Sequence, residues 1–279
     1  MNTKGAKLEV NDVVLTFGGI EALRSVSFQA EASELVAIVG PNGAGKTAML
    51  NCINGIYRPK AGDILLDGNS IAGQPLRLMG RIGVGRAFQH AELFPHLTVI
   101  ENLLIGRHQA FRSSTWASGF YCGRARREET EQRRQVEALI DFFELYRHRC
   151  TPVGALPYGI QKMVGVARAL AAGPKLLLLD EPCTGLIREE RENLARFMLR
   201  VRHDLGATIV WVEHDMQMVS DLADKVVVLN YGSKIAEGLP QIVARKPEVI
   251  EAYLGNSYRV DENEPAASPV DHRLSYTRC

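Results

Sequence analysis

Apolar and polar positions divide the chain into blocks with different periods. Leu8–Phe17 is rich in β-branched and apolar residues and a second short run closes at Phe28, so both stretches predict strands. Glu34–Val39, continuously apolar from Leu35, has the pattern of a strand buried on both faces. Gly40–Thr47 is glycine-rich, and Ala48–Asn54 has helical character up to Gly55. Gly62–Leu66 predicts another strand, ending in an Asp67-Gly68 turn. From Val99 the sequence becomes charged and helix-forming. Arg124–Glu144 predicts a helix, with Val136, Leu139, Ile140 and Phe143 at spacings of three and four. Gly106–Gly123 follows neither period. A helix is expected from Gly159 through Ala171. Strand signals return at Leu176–Asp180, Thr208–Glu213 and Lys225–Leu229, with a helical pattern over Glu189–Leu205 between the first two.

Apolar strands alternating with helices specify an α/β fold built on a parallel sheet. The helical block, 95–165, interrupts that alternation and is expected to be an inserted helical subdomain. From Asn256 the chain is polar and rich in Pro, Ser and Asp, the composition of a loosely ordered tail over 256–279. No internal repeat is visible.

Composition excludes more than it selects. Lys plus Arg is 33 and Asp plus Glu is 32, a formal net charge of +1, which argues against a nucleic-acid binder. The longest apolar runs are Leu35–Val39, Leu176–Leu179, Thr208–Val212 and Val226–Leu229. A membrane-spanning helix needs roughly 20 such residues, so none is expected. Met1–Val10 lacks the apolar core of a secretory signal. The five cysteines, Cys52, Cys122, Cys150, Cys183 and Cys279, are scattered and form no CxxC pair, so neither a disulfide framework nor a zinc site is indicated. The expectation is a soluble intracellular protein.

The chemistry sits in the glycine-rich segment. Gly40-Pro41-Asn42-Gly43-Ala44-Gly45-Lys46-Thr47 fits G-x-x-x-x-G-K-[ST], between a buried strand and a helix, as that pattern requires. Glycines let successive backbone N–H groups converge on phosphate oxygens, and the following helix points its positive end at the same place. Lys46 would reach the β- and γ-phosphates and the Thr47 hydroxyl would hold Mg²⁺. Ala48 contributes no side-chain ligand. A phosphate site of this kind needs a second, carboxylate-bearing strand. Leu176–Leu179 buries one, with Asp180 at its end to coordinate Mg²⁺ and Glu181 placed as general base on a water attacking the γ-phosphate.

With these elements the sequence resembles the ATP-binding cassette (ABC) family of transporter ATPases. Further motifs stand in family order over roughly residues 8–255. Gln89, in Arg86-Ala87-Phe88-Gln89, matches the glutamine that senses the γ-phosphate and the metal and touches the transmembrane partner. Pro157-Tyr158-Gly159-Ile160-Gln161, after Leu156, stands where the signature sequence belongs, opening a helix that contains Ala167-Arg168-Ala169-Leu170. Gly185-Leu186-Ile187 occupies the D-loop position. His214 matches the switch histidine, and Phe17, before Gly18-Gly19, would stack on adenine. The resemblance implies a RecA-like ATP-binding core over 1–94 and 166–255, an N-terminal antiparallel β subdomain within it, and a helical signature subdomain over 95–165. It implies ATP and Mg²⁺ as ligands and a second ABC ATPase, homo- or heterodimeric, whose signature helix completes each nucleotide site.

Three departures stand out. The usual signature has Ser where this chain has Pro157 and Gln where it has Ile160, and the D-loop has Asp or Asn where it has Ile187. Proline offers neither hydroxyl nor N–H to a phosphate, although it suits the start of a helix. The expectation is a competent phosphate loop and Glu181, with a weaker contribution to the partner's site. Within the family, Gly83–Gln89, Leu93–Leu104 and Val249–Gly255, with the long segment Gly106–Arg134, are similar to the ATPases of branched-chain, hydrophobic amino-acid importers. That resemblance implies membrane permeases, an external or periplasmic substrate-binding protein acting indirectly, and a peripheral place on the cytoplasmic face of a bacterial inner membrane. The alternatives are an ABC ATPase for another cargo, such as amides, urea or lipid, and a soluble non-transport ABC ATPase.

Overall fold

The computed structural model describes residues 4–88, 92–108 and 124–258. The chain opens with an antiparallel pair, β1 (Leu8–Phe17) and β2 (Ile20–Ala30), wider than the run closing at Phe28. The buried positions of β1 are Leu8, Val10, Val13 and Leu15, which break strict alternation. A bulge between Val10 and Val13 restores it. Asp12 takes a left-handed conformation there (φ 47°), and its carboxylate accepts from the Ser25 and Ser27 hydroxyls.

Next come β3 (Leu35–Val39), α1 (Lys46–Ile53), β4 (Ala61–Leu66), β5 (Asn69–Ser70), α2 (Leu76–Ile82) and β6 (Val84–Ala87). Strands β2-β1-β4-β5 form an antiparallel sheet, with Leu8 opposite Leu66 and Val10 opposite Ile64. The helical block consists of α3 (Val99–Gly106), α4 (Arg124–Phe142), two 3₁₀ turns at Tyr146–His148 and Val153–Ala155, and α5 (Tyr158–Ala171). Helix α3 starts at a capping box, in which the Thr98 N–H donates to Glu101 Oε2 at 2.8 Å and Glu101 N–H returns to Thr98 Oγ1 at 3.4 Å. The remaining elements are β7 (Leu176–Asp180), α6 (Arg188–Leu205), β8 (Thr208–Val212), α7 (Met216–Leu222), β9 (Lys225–Asn230), β10 (Ser233–Gly238), α8 (Pro240–Val243) and α9 (Pro247–Tyr258).

The larger sheet has the order β10-β9-β3-β8-β7-β6 and is parallel except for β10. Both faces are covered, which explains its continuous apolar strands. Leu35, Ala37 and Val39 of β3, with Leu177 and Leu179 of β7, pack toward the helical block. Val36 and Ile38, with Leu176 and Leu178, face α1 and the antiparallel sheet. The predicted stripe of α4 (Val136, Leu139, Ile140) and Phe143 just beyond it are all buried. Phe143 lies 5.1 Å, ring to ring, from Phe197 on α6. Each such side chain contributes about 1.5–3 kcal/mol of burial.

The expected boundary between 165 and 166 falls inside the continuous helix α5. Helix α9 runs to Tyr258, past the expected start of the tail, and the rest of that tail lies outside the described residues. Among the described residues no helix is long and apolar enough to cross a membrane, and no cluster of His, Cys, Asp or Glu could hold a metal ion. Cys52 and Cys183 are buried free thiols and Cys150 is an exposed one.

Candidate phosphate-binding site

Three parallel strands end side by side to build the site, the location that open α/β sheets offer to ligands. The loop 40–45 leaves β3, Asp180 ends β7, and Glu213 follows β8. Gly40 and Gly45 are glycines for steric reasons. At Gly40 a Cβ would stand 2.0 Å from the Leu229 carbonyl oxygen, and at Gly45 (φ 100°) it would meet the Ala22 oxygen at 2.7 Å. Gly45 is the N-cap of α1, so Lys46 and Thr47 begin the helix and its first N–H groups face the loop. The helix thus starts two residues earlier than Ala48.

A cleft of about 550 Å³ lies over this helix start. Asn42 through Ala48 and Glu181 form one wall; Ile20, Glu21, Ala22 and Arg24 of β2, with Tyr231 and Gly232, form the other. Lys46 is buried, and its ammonium donates to the Gly40 oxygen at 2.7 Å and the Pro41 oxygen at 3.0 Å. Burial pulls its pKa below the ordinary lysine value, opposed by the nearby carboxylates of Glu181, Asp180 and Glu213. Thr47 Oγ1 lies 3.4 Å from Asp180 Oδ1. These hard oxygen donors are of the kind Mg²⁺ takes, so the residues present fit that ion.

Glu181 adopts a left-handed backbone (φ 44°), uncommon for a side chain of its size, and anchors its N–H on the Val212 oxygen at 3.0 Å. Its carboxylate accepts from the Thr184 hydroxyl at 3.3 Å and lines the cleft. His214 is largely exposed, with Nδ1 3.4 Å from Glu213 Oε1. Glu213 is almost wholly buried and one of its oxygens, Oε2, is unpaired, so burial raises its pKa above the usual carboxylate range. Burial likewise pushes the Cys183 thiol up to about 12.

Not every expected residue lines the cleft. Phe17 is half-exposed and stacks edge-on against Tyr57, 5.0 Å between ring centroids. Ile20, the cross-strand neighbour of Phe17, lines the cleft. Gln89 lies outside the described residues. Pro157 is the N-cap of α5, and Gln161 secures it from both sides, its N–H on the Pro157 oxygen (3.0 Å) and its side-chain amide on the Leu156 oxygen (2.8 Å). Tyr158 is exposed and Ile160 half-buried. Gly159 is buried: a Cβ there would stand 2.2 Å from a Glu190 carboxylate oxygen of α6. None of 157–161 lines the cleft.

Sequence reasoning missed Ile20, Tyr231, Glu213 and Tyr253. Tyr231-Gly232 is a two-residue β9–β10 turn with positive φ at both positions (46° and 80°), the geometry that favours tight hairpins. Tyr253, on α9, accepts a hydrogen bond from the Gly40 N–H and offers its hydroxyl to Met216 Sδ at 3.8 Å. Burial raises its pKa to about 12.

Comparison with known proteins places this geometry. Residues 23–184 match the family of ABC transporters, and residues 233–258 match the branched-chain amino acid ATP-binding cassette transporter family. The chain is 36% identical over 250 residues to the high-affinity branched-chain amino acid transport ATP-binding protein LivG of Escherichia coli (strain K12), covering 90% of this chain and 98% of that protein. It is 34% identical over 256 residues to the sulfate/thiosulfate import ATP-binding protein CysA 2 of Agrobacterium fabrum, covering 91% of this chain and 70% of the relative. A crystal structure of the ADP conformation of an ABC transporter's ATP-binding cassette superposes with a TM-score of 0.79 at 29% identity, covering 90% and 99% of the two chains. A match over more than half the chain, on a fold shared almost end to end, makes this protein a member of the ABC transporter family and an ATPase of the ATP-binding cassette type.

Proposed function

We propose that the chain powers an importer of branched-chain or other hydrophobic amino acids, bound to the cytoplasmic face of a bacterial inner membrane through permease partners. The single observation behind the cargo is the C-terminal segment, 233–258, which matches the branched-chain family separately from the general cassette. The α9 residue Tyr253, in that segment, contacts the first glycine of the phosphate loop.

The mechanism follows from placement. The N–H groups of 43–47 and the Lys46 ammonium bind the phosphates, with the ammonium turning from the Gly40 and Pro41 oxygens toward the β- and γ-phosphates. Thr47 and Asp180, with Gln89, would hold Mg²⁺, which would supply charge neutralisation for the phosphates. Glu181 accepts the proton of the attacking water from the strained turn after β7. His214 orients that water and contacts the γ-phosphate. Phe17, with Ile20 beside it, covers the adenine. Residues 157–161 face the nucleotide of a second ABC subunit. A closed dimer that loses the γ-phosphate opens, and the segment around Gln89 carries that motion to the permease. The helical part, 95–165, is joined to the core, 1–94 and 166–255, through the continuous helix α5.

Reconstitution tests the reading. The chain, co-expressed with its neighbouring ATPase and permeases in vesicles holding ATP, should drive uptake of labelled leucine, and Glu181→Gln should abolish it. Uptake of sulfate but not leucine would move the cargo to that of the second relative. ATP hydrolysis with no transport of any solute would overturn importer function.

A further inference from the structure

The two oxygens of Asp180 have different neighbours. Oδ1 lies 3.4 Å from Thr47 Oγ1, whereas Oδ2 accepts from Arg86 Nη2 at 2.8 Å. Both side chains of this ion pair are almost completely buried, 4% and 7% exposed. The other arm of Arg86, Nη1, donates to Asn51 Oδ1 on α1, and its guanidinium stands 4.6 Å over the Phe88 ring. Its Nε is buried without a partner. One arginine from the edge strand β6 is therefore clamped between the helix after the phosphate loop and the carboxylate at the end of β7. No local window of sequence links Arg86, Asn51 and Asp180, which are far apart in the chain.

We propose that Arg86 is a positioning residue that cancels the charge of Asp180 and so keeps a divalent cation out of the site until a nucleotide arrives. A buried carboxylate left alone is a strong attractor of cations. A guanidinium is always charged and, at this separation, offsets that pull. By holding Oδ2 it also leaves Asp180 a single oxygen, Oδ1, to offer beside the neutral Thr47 hydroxyl. Lys46 adds a second positive charge facing Asp180, Glu181 and Glu213. Mg²⁺ sheds water reluctantly and is held by carboxylates together with substrate phosphates. With Asp180 neutralised, the phosphates must bring the missing negative charge, so metal entry is conditional on the triphosphate.

This inference rests on the reading of Asp180 as a metal-facing residue, and its test does not use turnover. Mn²⁺ is titrated by electron paramagnetic resonance into the full chain, with and without a non-hydrolysable ATP analogue. The wild type without nucleotide should bind Mn²⁺ no more tightly than millimolar; with the analogue, binding should tighten. Arg86→Gln should bind Mn²⁺ without nucleotide at least about tenfold more tightly than the wild type. Asp180→Asn in that background should cancel the gain, and Arg86→Lys, which keeps the charge, should remain near the wild type. An unchanged Arg86→Gln, or an Arg86→Lys as tight as Arg86→Gln, overturns the proposal. So does micromolar Mn²⁺ binding by the nucleotide-free wild type, a result that needs no variant to fold. Failure of the analogue itself to bind would sink the nucleotide reading while leaving the nucleotide-free titrations interpretable.

Discussion

Lys46→Met separates the cost of the phosphate loop from its use. The ammonium makes two short hydrogen bonds to loop carbonyls, and its burial lowers its pKa despite three carboxylates nearby. The folded chain therefore disfavours the charged form, and removing it offsets the two lost bonds. The melting temperature without ligand should move by less than about 2–4 °C. Binding behaves differently. A charge-assisted bond to phosphate contributes roughly 1.5–3 kcal/mol, so the variant should bind ATP about 10- to 150-fold more weakly. At ATP near 100 times the wild-type Kd, ligand stabilises the wild type by about 2.7 kcal/mol, a shift of roughly 5–10 °C for a chain of this size. The variant should keep only about 0.3–1.4 kcal/mol, or ~0.6–6 °C. Differential scanning fluorimetry with and without Mg²⁺-ATP reads both numbers. A variant that retains the full ligand shift would refute the assignment of Lys46 to the phosphates.

Gly45→Ala should lower the ligand-free melting temperature by more than Gly43→Ala. Both take positive φ, costing about 1–2 kcal/mol, but only the Gly45 Cβ meets the Ala22 oxygen (2.7 Å) and a Leu23 methyl (3.0 Å); equal losses would count against the close approach of β2. Glu213→Gln should change the pH dependence of stability. Burial raises the Glu213 pKa above 4.5, so stability is full below that pH and declines as the group ionises above it. The glutamine variant should be the more stable near pH 8, by a margin that closes as the pH falls toward 4.5; a margin constant with pH would exclude titration of Glu213 as its cause. Pro157→Ser should raise ATP turnover of the assembled complex by about tenfold, the scale of one restored charge-assisted donor, and an unchanged rate would remove Pro157 as a handicap.

The strands of the large sheet were legible because burial on both faces leaves an uninterrupted apolar run that no other short element shares. Its edge was not. Strand β6 is four residues long and includes Gly85 and Arg86, so neither alternation nor an apolar run marks it, yet it supplies the arginine against Asp180. The two-residue β5 and the seven-residue α2 and α7 were equally invisible; α7 carried one local signal, Asp215, whose carboxylate caps the N–H groups of Gln217 and Met218. The phosphate loop could be read because its whole pattern lies within eight consecutive residues, Gly40–Thr47. Ile20 and Tyr231 reach the same cleft from β2 and the β9–β10 turn, and nothing in a local window links positions more than 200 residues apart.

The signature segment shows where motif spacing and physical role part. Its glycine, Gly159, fits the family position, yet the atom nearest a hypothetical Cβ is the Glu190 carboxylate of the same chain. Glu190 is there because it caps its own helix: the Ile187 N–H donates to Glu190 Oε2 at 3.2 Å, and isoleucine has no oxygen with which to complete the capping box. An Asp or Asn at 187 would accept from the Glu189 or Glu190 N–H, donors that isoleucine leaves uncapped, while Glu190 kept the residue-187 N–H and the completed box held its carboxylate in place. One carboxylate, Glu190, thus touches both the D-loop position and Gly159, the glycine proposed above to face a second subunit's nucleotide. Restoring the hydroxyl at 157 alone should then recover only part of the activity, and Ile187→Asn added to Pro157→Ser should exceed the product of the two single effects. Strictly multiplicative gains would show that the two positions act independently and that Glu190 does not couple them.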